Sequence, residues 1–331
     1  MVRRKQSTYT LLYTWAAVLT LLEVRLARQF WGGLPLAPTA HSTPPHIHPS
    51  SSHSSSTPVC RRCFRQYLRQ PVTWRDERLV RHLRSSMESL PQLPRQRLHP
   101  HIPPWSHIPS YNATEDIIRK LFQEKVGGVF VEVGAQDGLW LSNTWWLEAA
   151  RGWRGLLLEA DPHNYLQLRS SPRTSTTLPV CVTTDLIVKK EVMVRSRSPN
   201  NITETVYRTQ QGKSKLLKYA TKSDINFGET WTTTCYPLLS VLTAARYDQV
   251  DLLILDISGG GYEMTIDFLS MNKALGNPFF VKVILYQDNE LPQFFSLEDV
   301  RDGFKKYGYN LIKIRQNHYL LHHNSMNVAV V

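Results

Sequence analysis

From about residue 110 to the C-terminus, the sequence predicts a doubly wound α/β domain built on a mostly parallel sheet. Three observations predict it. Short apolar runs of strand length alternate with helical stretches. The runs are continuous rather than alternating, as expected for strands buried on both faces. The first of them, Val129-Phe130-Val131-Glu132-Val133, opens into a glycine-bearing turn, Gly134-Ala135-Gln136-Asp137-Gly138.

The elements follow in order. Ile117, Ile118, Leu121 and Phe122 form one face of a helix that starts near Ala113 and stops at Gly127-Gly128. Val129 to Val133 is a buried strand, Ser142 to Ala150 a helix, and Gly155 to Ala160 a second strand. Pro162 to Arg169 is a helix with proline at its first position. Leu178 to Val182 reads as a third strand. Residues 183–234 are polar and irregular, which suggests an insertion or a lid. A helix from Pro237 to Ala245 leads to a strong apolar strand, Asp251 to Ile257. Tyr262 to Ser270 is a helix, Phe279 to Tyr286 a strand and Leu297 to Tyr307 a helix. Asn310 to Ile314 and His318 to Leu321 form a final strand pair.

The N-terminal third differs. The chain has 331 residues and a formal charge of +12. Residues 1–59 carry +4, residues 60–109 carry +7, and the remainder only +1. The charge sits in the stalk, and no groove-reading module is present, so nucleic acid is excluded as a partner. Residues 7–22 are mostly apolar, with Arg3, Arg4 and Lys5 before them. Some 16 residues span about 24 Å, short of the roughly 30 Å hydrocarbon core. A cleaved signal peptide and a short signal anchor both fit. The anchor is favoured, because no good small-x-small site follows and the basic end suits the cytosol. The expected organisation is a cytosolic tail (1–6), an anchor (7–26), a disordered stalk (27–72), a basic helix with a proline-rich linker (73–109), and the α/β domain (110–331).

Within the stalk, residues 38–58 are rich in Pro, Ser, Thr and His and lack the apolar content to fold. His41, His46, His48 and His53 precede Cys60-Arg61-Arg62-Cys63, but the spacing matches no closed zinc pattern. A local disulfide or two unpaired thiols is expected there. Thr73 to Leu90 reads as one helix, with Leu79, Val80, Leu83, Met87 and Leu90 at helical spacing. It is expected to pack on the domain with its arginines outward. Two sequons, Asn112-Ala113-Thr114 and Asn201-Ile202-Thr203, are glycosylation candidates in a lumen. Asn112 could equally cap the helix beginning near Ala113. The four cysteines, Cys60, Cys63, Cys181 and Cys235, suit disulfides without proving them.

The chemistry lies at the strand ends. In Glu132-x-Gly134-x-x-x-Gly138 the glycines let backbone come close to a ligand. Such a ligand sits beyond the carboxyl ends of the strands, at the switch point of the sheet. The pattern is not G-x-G-x-x-G, which argues against a dinucleotide. Leu156-Leu157-Leu158-Glu159 is a second apolar strand ending in a carboxylate, which can accept from both hydroxyls of a ribose. A helix cap or an ion pair is the plainer role for Glu159. Asp256 ends the strand Leu252-Leu253-Ile254-Leu255 and faces the same cleft, or else caps the Gly259-Gly260-Gly261 turn. One acid, one glycine and a second glycine four later resembles the first motif of S-adenosylmethionine enzymes, and the cofactor contacts this implies are Glu132, Gly134, Ala135, Gln136, Asp137 and Gly138, with Glu159, Ala160, Asp161 and Asp256. No catalytic residue and no metal ligand is assigned. His318, His322 and His323 lie on or beside a predicted edge strand with no carboxylate motif nearby.

These residues carry a resemblance. Phe130-Val131-Glu132-Val133-Gly134-Ala135-x-Asp137-Gly138, Leu141-Ser142-Asn143-Thr144, and Gly152-Trp153-x-Gly155-Leu156-Leu157-x-Glu159-x-Asp161-Pro162 resemble the FkbM-type methyltransferase domain. Within it, Cys181 and Cys235-Tyr236-Pro237-Leu238-Leu239-Ser240 are similar to the Star-like branch. The resemblance implies a single-pass membrane protein with a luminal domain. It implies work in moving signalling cargo, notably precursors of epidermal-growth-factor-receptor ligands, from endoplasmic reticulum to Golgi and endosomes. The partners would be the membrane and a membrane-bound cargo protein. FkbM relatives are O-methyltransferases, and activity of that kind is the alternative. A luminal setting would let Cys181 and Cys235 pair. One place departs from the pattern. The family's fourth strand ends Asp-Val-Glu-Gly-x-Glu, where this chain has Asp256-Ile257-Ser258-Gly259-Gly260-Gly261-Tyr262-Glu263. A second acid usual near the end of the next strand falls at Gln287. Losing two carboxylates removes candidate bases and argues against turnover.

Overall fold

The computed structural model describes residues 61–89, 109–196, 214–288, 296–315 and 318–326. The expected anchor, most of the stalk, Cys60 and the Asn201 sequon lie outside them, as do the side chains of Cys63 and Asn112. Among the described residues, no helix is long and apolar enough to cross a membrane.

Strands β1 (Glu88–Ser89), β2 (Val129–Val133), β3 (Arg154–Leu158), β4 (Thr176–Leu178), β9 (Gln249–Leu255), β10 (Phe280–Gln287), β11 (Tyr309–Arg315) and β12 (His318–His323) build the main sheet. Their order is β1-β4-β3-β2-β9-β10-β12-β11. The five strands from β4 to β10 are mutually parallel. At one edge β1 joins antiparallel. At the other, β12 runs antiparallel between β10 and β11. The expected edge strand at His318 is thus an interior one.

Alternation along the strands feeds two apolar layers. Val131, Val133, Leu156, Leu158, Leu253 and Leu255 face one core. Phe130, Leu157, Leu252, Ile254, Val283 and Leu285 face the other. The helices α1 (Arg61–Tyr67), α2 (Glu77–Ser86), α3 (Pro109–Phe122), α4 (Trp145–Arg151), α5 (Pro162–Arg169), α6 (Lys222–Phe227), α7 (Leu238–Ala245), α8 (Gly261–Ala274) and α9 (Leu297–Lys305) complete the described residues.

The basic helix is shorter than its spacing predicts. Asp76 caps it, accepting from the backbone N–H of Arg78 and Leu79, and it ends at Ser86. Leu79 and Leu83 are buried in the core, and Arg84 reaches across to the carbonyl of Ala244 at 3.0 Å. It is therefore part of the domain. Helix α3 begins at Pro109, so Asn112 lies in its first turn and not at its cap.

The predicted third strand divides in two. Pro179 has no N–H for the ladder, so β4 stops at Leu178 and β5 (Cys181–Thr183) enters a second sheet. With β6 (Lys189–Arg195), β7 (Ser214–Leu216) and β8 (Glu229–Pro237), that sheet has the order β5-β8-β6-β7. The described part of the supposedly irregular insertion is thus largely ordered. Its strands hide in the sequence because they bury only a small cluster: Cys181, Met193 and Cys235, with Ala160, Leu216 and Trp231 packed on it.

Candidate functional site

The chain order of the main sheet reverses between β2 and β9, whose last residues, Val133 and Leu255, are in register. A crevice outside the carboxyl ends of the strands is where such sheets bind ligands. A pocket opens there. Its floor is Val133, Gly134, Gln136, Leu158, Glu159 and Asp256. The inserted sheet supplies the roof, with Met193, Ser214, Lys215, Leu216 and the following Tyr219.

Gly134 lies at φ +84°, and a Cβ there would sit 2.2 Å from the backbone oxygen of Asp256. Only glycine lets the two strand ends converge so closely. The Asp256 N–H donates to the Val133 carbonyl at 3.0 Å, which seals the junction.

Glu159 is the centre of the floor. The backbone N–H of Gln136 donates to its Oε2 at 2.7 Å, and the N–H of Asp161 to its Oε1 at 2.7 Å. Burial pushes its carboxyl up to about 7, with these two N–H groups and that of Ala160 working in the opposite direction.

Of the ten predicted cofactor contacts, the structure brings Gly134, Gln136, Glu159, Ala160 and Asp256 to the pocket. The other five do not line it. Glu132 points beneath the loop, where Ser142 Oγ donates to it at 3.2 Å and Thr144 Oγ1 also donates. Burial pushes its carboxyl up, while Arg173, Thr144 and Ser142 pull it down. Ala135 is buried in the second core layer. Asp137 folds back on its own loop, accepting from the N–H of Leu139 at 2.9 Å and of Trp140 at 2.7 Å. Gly138 packs against Leu168, and its carbonyl accepts from Arg173 at 2.6 Å. Asp161 caps α5. Burial would raise its carboxyl, yet Arg195 and Ser214 hold it below the ordinary range. Glu132, Ala135, Asp137 and Gly138 belong to or support the loop that carries Gln136, while Asp161 holds Arg195 and Ser214 of the inserted sheet.

Several pocket residues carried no motif. Asn164 sits in the first turn of α5, and Ile257 and Ser258 follow Asp256. Cys181 is disulfide-bonded to Cys235, with Cα atoms 4.3 Å apart. The two cysteines are in register on β5 and β8, so the bridge locks two neighbouring strands of the inserted sheet together, one of them lining the pocket.

Beyond Asp256, Tyr219 covers the glycine turn. Its hydroxyl donates to Glu263 Oε2 at 2.7 Å, and Lys218 Nζ donates to Glu263 Oε1 at 2.7 Å. Burial pushes the phenol up to about 12, so at neutral pH it is a protonated donor. Gln287 does not line the pocket. The residue after it, Asp288, is an acid, but it accepts the N–H of Tyr262 at 3.0 Å. Among the described residues, no group of acids, histidines and cysteines could hold a metal ion.

No protein-family model matches the chain, and no curated protein matches it. Solved structures are similar at low identity. The METTL16 MTase domain aligns with 64% of this chain at 11% identity and a TM-score of 0.34. A SAM-dependent methyltransferase from Aquifex aeolicus aligns with 65% at 10% identity and a TM-score of 0.30. Precorrin-6y C5,15-methyltransferase from Geobacter metallireducens GS-15 aligns with 64% at 12% identity and a TM-score of 0.32. The chain spans 65%, 92% and 85% of these three, respectively. Likenesses at this level carry nothing about ligand or substrate. Strand order and the switch-point crevice define the class instead: an α/β protein with the doubly wound sheet of the S-adenosylmethionine-methyltransferase type.

Proposed function

We propose that this pocket binds S-adenosylmethionine and that the chain is a methyltransferase-fold protein of an oxidising, secretory compartment. Glu159 carries the proposal. It is a carboxylate buried at the switch point, held by the backbone N–H groups of Gln136, Ala160 and Asp161, and it lines the pocket. A buried carboxylate needs donors, and the two hydroxyls of a ribose supply them. The residues present therefore fit an adenosine. The Cys181–Cys235 disulfide supports the compartment, since such bonds persist in oxidising surroundings.

When bound, the cofactor supplies a methyl group on a sulfonium. The chain's own part is to hold the adenosine through Gly134, Gln136 and Glu159. Asp256, directly after β9, also lines the pocket. O-methyl transfer to an acceptor hydroxyl is the activity to test, with Asp256 as the acid of this lining to replace first.

A second reading is favoured by Ser258, which lines the pocket where the resembled pattern has an acid. Here the fold serves as a luminal surface for membrane-bound signalling cargo, in a type II membrane protein of the endoplasmic reticulum, Golgi and endosomes. Resistance of the full chain in cells to any endoglycosidase H shift, with both sequons unoccupied, would count against that location.

Calorimetry of the full chain with S-adenosylmethionine and S-adenosylhomocysteine tests the first reading. Binding is expected, and Glu159→Ala should weaken it by roughly 1–3 kcal/mol, since polar groups are stranded. No heat with either compound overturns cofactor binding.

A further inference from the structure

The roof over the pocket is tied to the main sheet at unequal points. At β5 the tie is the chain itself, which runs straight on from β4 through Pro179, and the Cys181–Cys235 disulfide locks β5 to β8 within the roof. At the end of β3 it is a buried ion pair: Arg195 donates to Asp161 from Nε at 2.7 Å, and the Asp161 side chain is sealed from water. Ser214 donates to the same carboxylate. Both ties lie on the adenosine side. A looser contact, Thr184 Oγ1 to Asp267 at 3.3 Å, is exposed.

On the β9 side the fastening is of another kind. Tyr219 rests flat on the turn after Asp256. A Cβ on Gly260 would be 2.5 Å from the Tyr219 ring, and one on Gly259 would be 3.0 Å from its Cβ. The glycines that set this turn apart from the resembled pattern form a seat for that ring. What holds the ring down is the Glu263 carboxylate, shared by the Tyr219 hydroxyl and Lys218. The side chains of Lys218 and Glu263 are 50% and 51% exposed. Exposed pairs of this sort contribute little, whereas breaking a buried one is costly. The roof is therefore fixed on the adenosine side and releasable on the side where an acceptor would enter.

We propose that Tyr219 is the gate of the pocket: its ring on the Gly259–Gly260 seat closes the acceptor side, and lifting it admits the ligand. This deepens the reading of the pocket as a cofactor site and rests on it. The gate limits acceptors to molecules that can replace an aromatic ring against bare backbone, so flat or apolar-faced hydroxyl compounds fit best.

Alkylation of a buried probe tests the gate without any ligand. Met264 lines the pocket just beyond the seat and is 8% exposed. In the full chain carrying Cys60→Ser, Cys63→Ser and Met264→Cys, iodoacetamide labelling is followed under non-reducing conditions. Tyr219→Ala should raise the rate roughly tenfold or more, because local opening no longer has to lift the ring. Glu263→Gln, which leaves the ring in place, should raise it about two- to fivefold. Unchanged rates in both variants overturn the gate. Val300→Cys, at a core site on α9, replaces the probe as a control. If Tyr219→Ala speeds that label equally, the effect is general loosening and the gate is again overturned. S-adenosylhomocysteine should slow labelling at position 264. A rate that answers to Tyr219 but not to this compound leaves the gate standing and removes the cofactor.

Discussion

Arg173 Nε donates to Glu148 at 3.1 Å while one of its terminal nitrogens stands 4.0 Å from Glu132, and all three side chains are buried. The same guanidinium donates to the carbonyl of Gly138 and to Thr144 Oγ1, at 2.6 and 2.8 Å. One cation thus holds the strand end, the glycine loop and α4 together. Arg173→Met should cost about 3–5 kcal/mol, because it leaves buried carboxylates without their partner. Urea unfolding of the purified chain measures this. A loss below about 1 kcal/mol would mean that the carboxylates protonate without penalty. Arg173→Lys should recover little, since a single ammonium cannot serve several acceptors at fixed angles.

Glu159 links stability to pH. Its carboxyl is raised from 4.5 to about 7 by burial, against the pull of the backbone N–H groups of Asp161, Gln136 and Ala160. A raised acid binds its proton more tightly folded than unfolded. Its contribution is therefore full below about pH 4.5 and lost as pH rises to about 7. The ligand-free chain should lose about 3 kcal/mol across that window through this group. Glu159→Gln should flatten that part of the profile, as read from urea midpoints at pH 5 and pH 8. Ribose hydroxyls favour the ionised carboxylate, so affinity for S-adenosylhomocysteine should rise as pH increases through 7. An affinity independent of pH between 6 and 8 would remove Glu159 from the contact.

The disulfide closes a loop with a sequence separation of 54, which encloses most of the inserted sheet. A loop of that size restricts the unfolded chain by about 4 kcal/mol in the chain-entropy account. Cys181→Ser with Cys235→Ser should lower stability by that order, as measured by thermal unfolding. Affinity for the cofactor should fall as well, because Cys181 is part of the pocket wall. Loss of stability with unchanged affinity would show that the wall holds its shape without the bond.

The central strands of the main sheet were legible in the sequence because each is an apolar run that needs both faces covered, whereas the edge strand Glu88–Ser89 fell inside the predicted basic helix. Val129–Val133, Arg154–Leu158 and Gln249–Leu255 fall close to where the runs place them. Gly134 and Glu159 were legible for a related reason: a glycine and an acid directly after a buried strand have few other uses. Glu132 looked the same on paper. Its side chain points to the opposite face of β2 from Val131 and Val133, and Arg173 claims it, which no local pattern reveals. The roof was illegible too. Lys189–Arg195 and Glu229–Pro237 are mostly polar, and what orders them is a distant disulfide and the Asp161–Arg195 pair. The seat of Tyr219 was visible as three glycines, while its occupant was not.

Gly134 is where fold and site meet, and its replacement separates them. Alanine at 134 would hold a left-handed backbone at φ +84°, with its methyl 2.2 Å from the Asp256 oxygen. The backbone conformation alone costs roughly 1–2 kcal/mol, and the contact forces β2 and β9 apart. That movement displaces Asp256 from Val133 and shifts the Gln136 N–H from Glu159. Gly134→Ala should therefore lose cofactor binding by more than it loses stability. Gly127→Ala is the control: it has a similar φ of +67° and nothing within 4 Å of the added methyl. It should cost the same backbone strain and leave binding intact. Calorimetry and urea unfolding on both variants decide the matter. Equal loss of binding in the two would show that strain, and not the approach of Asp256, governs the site.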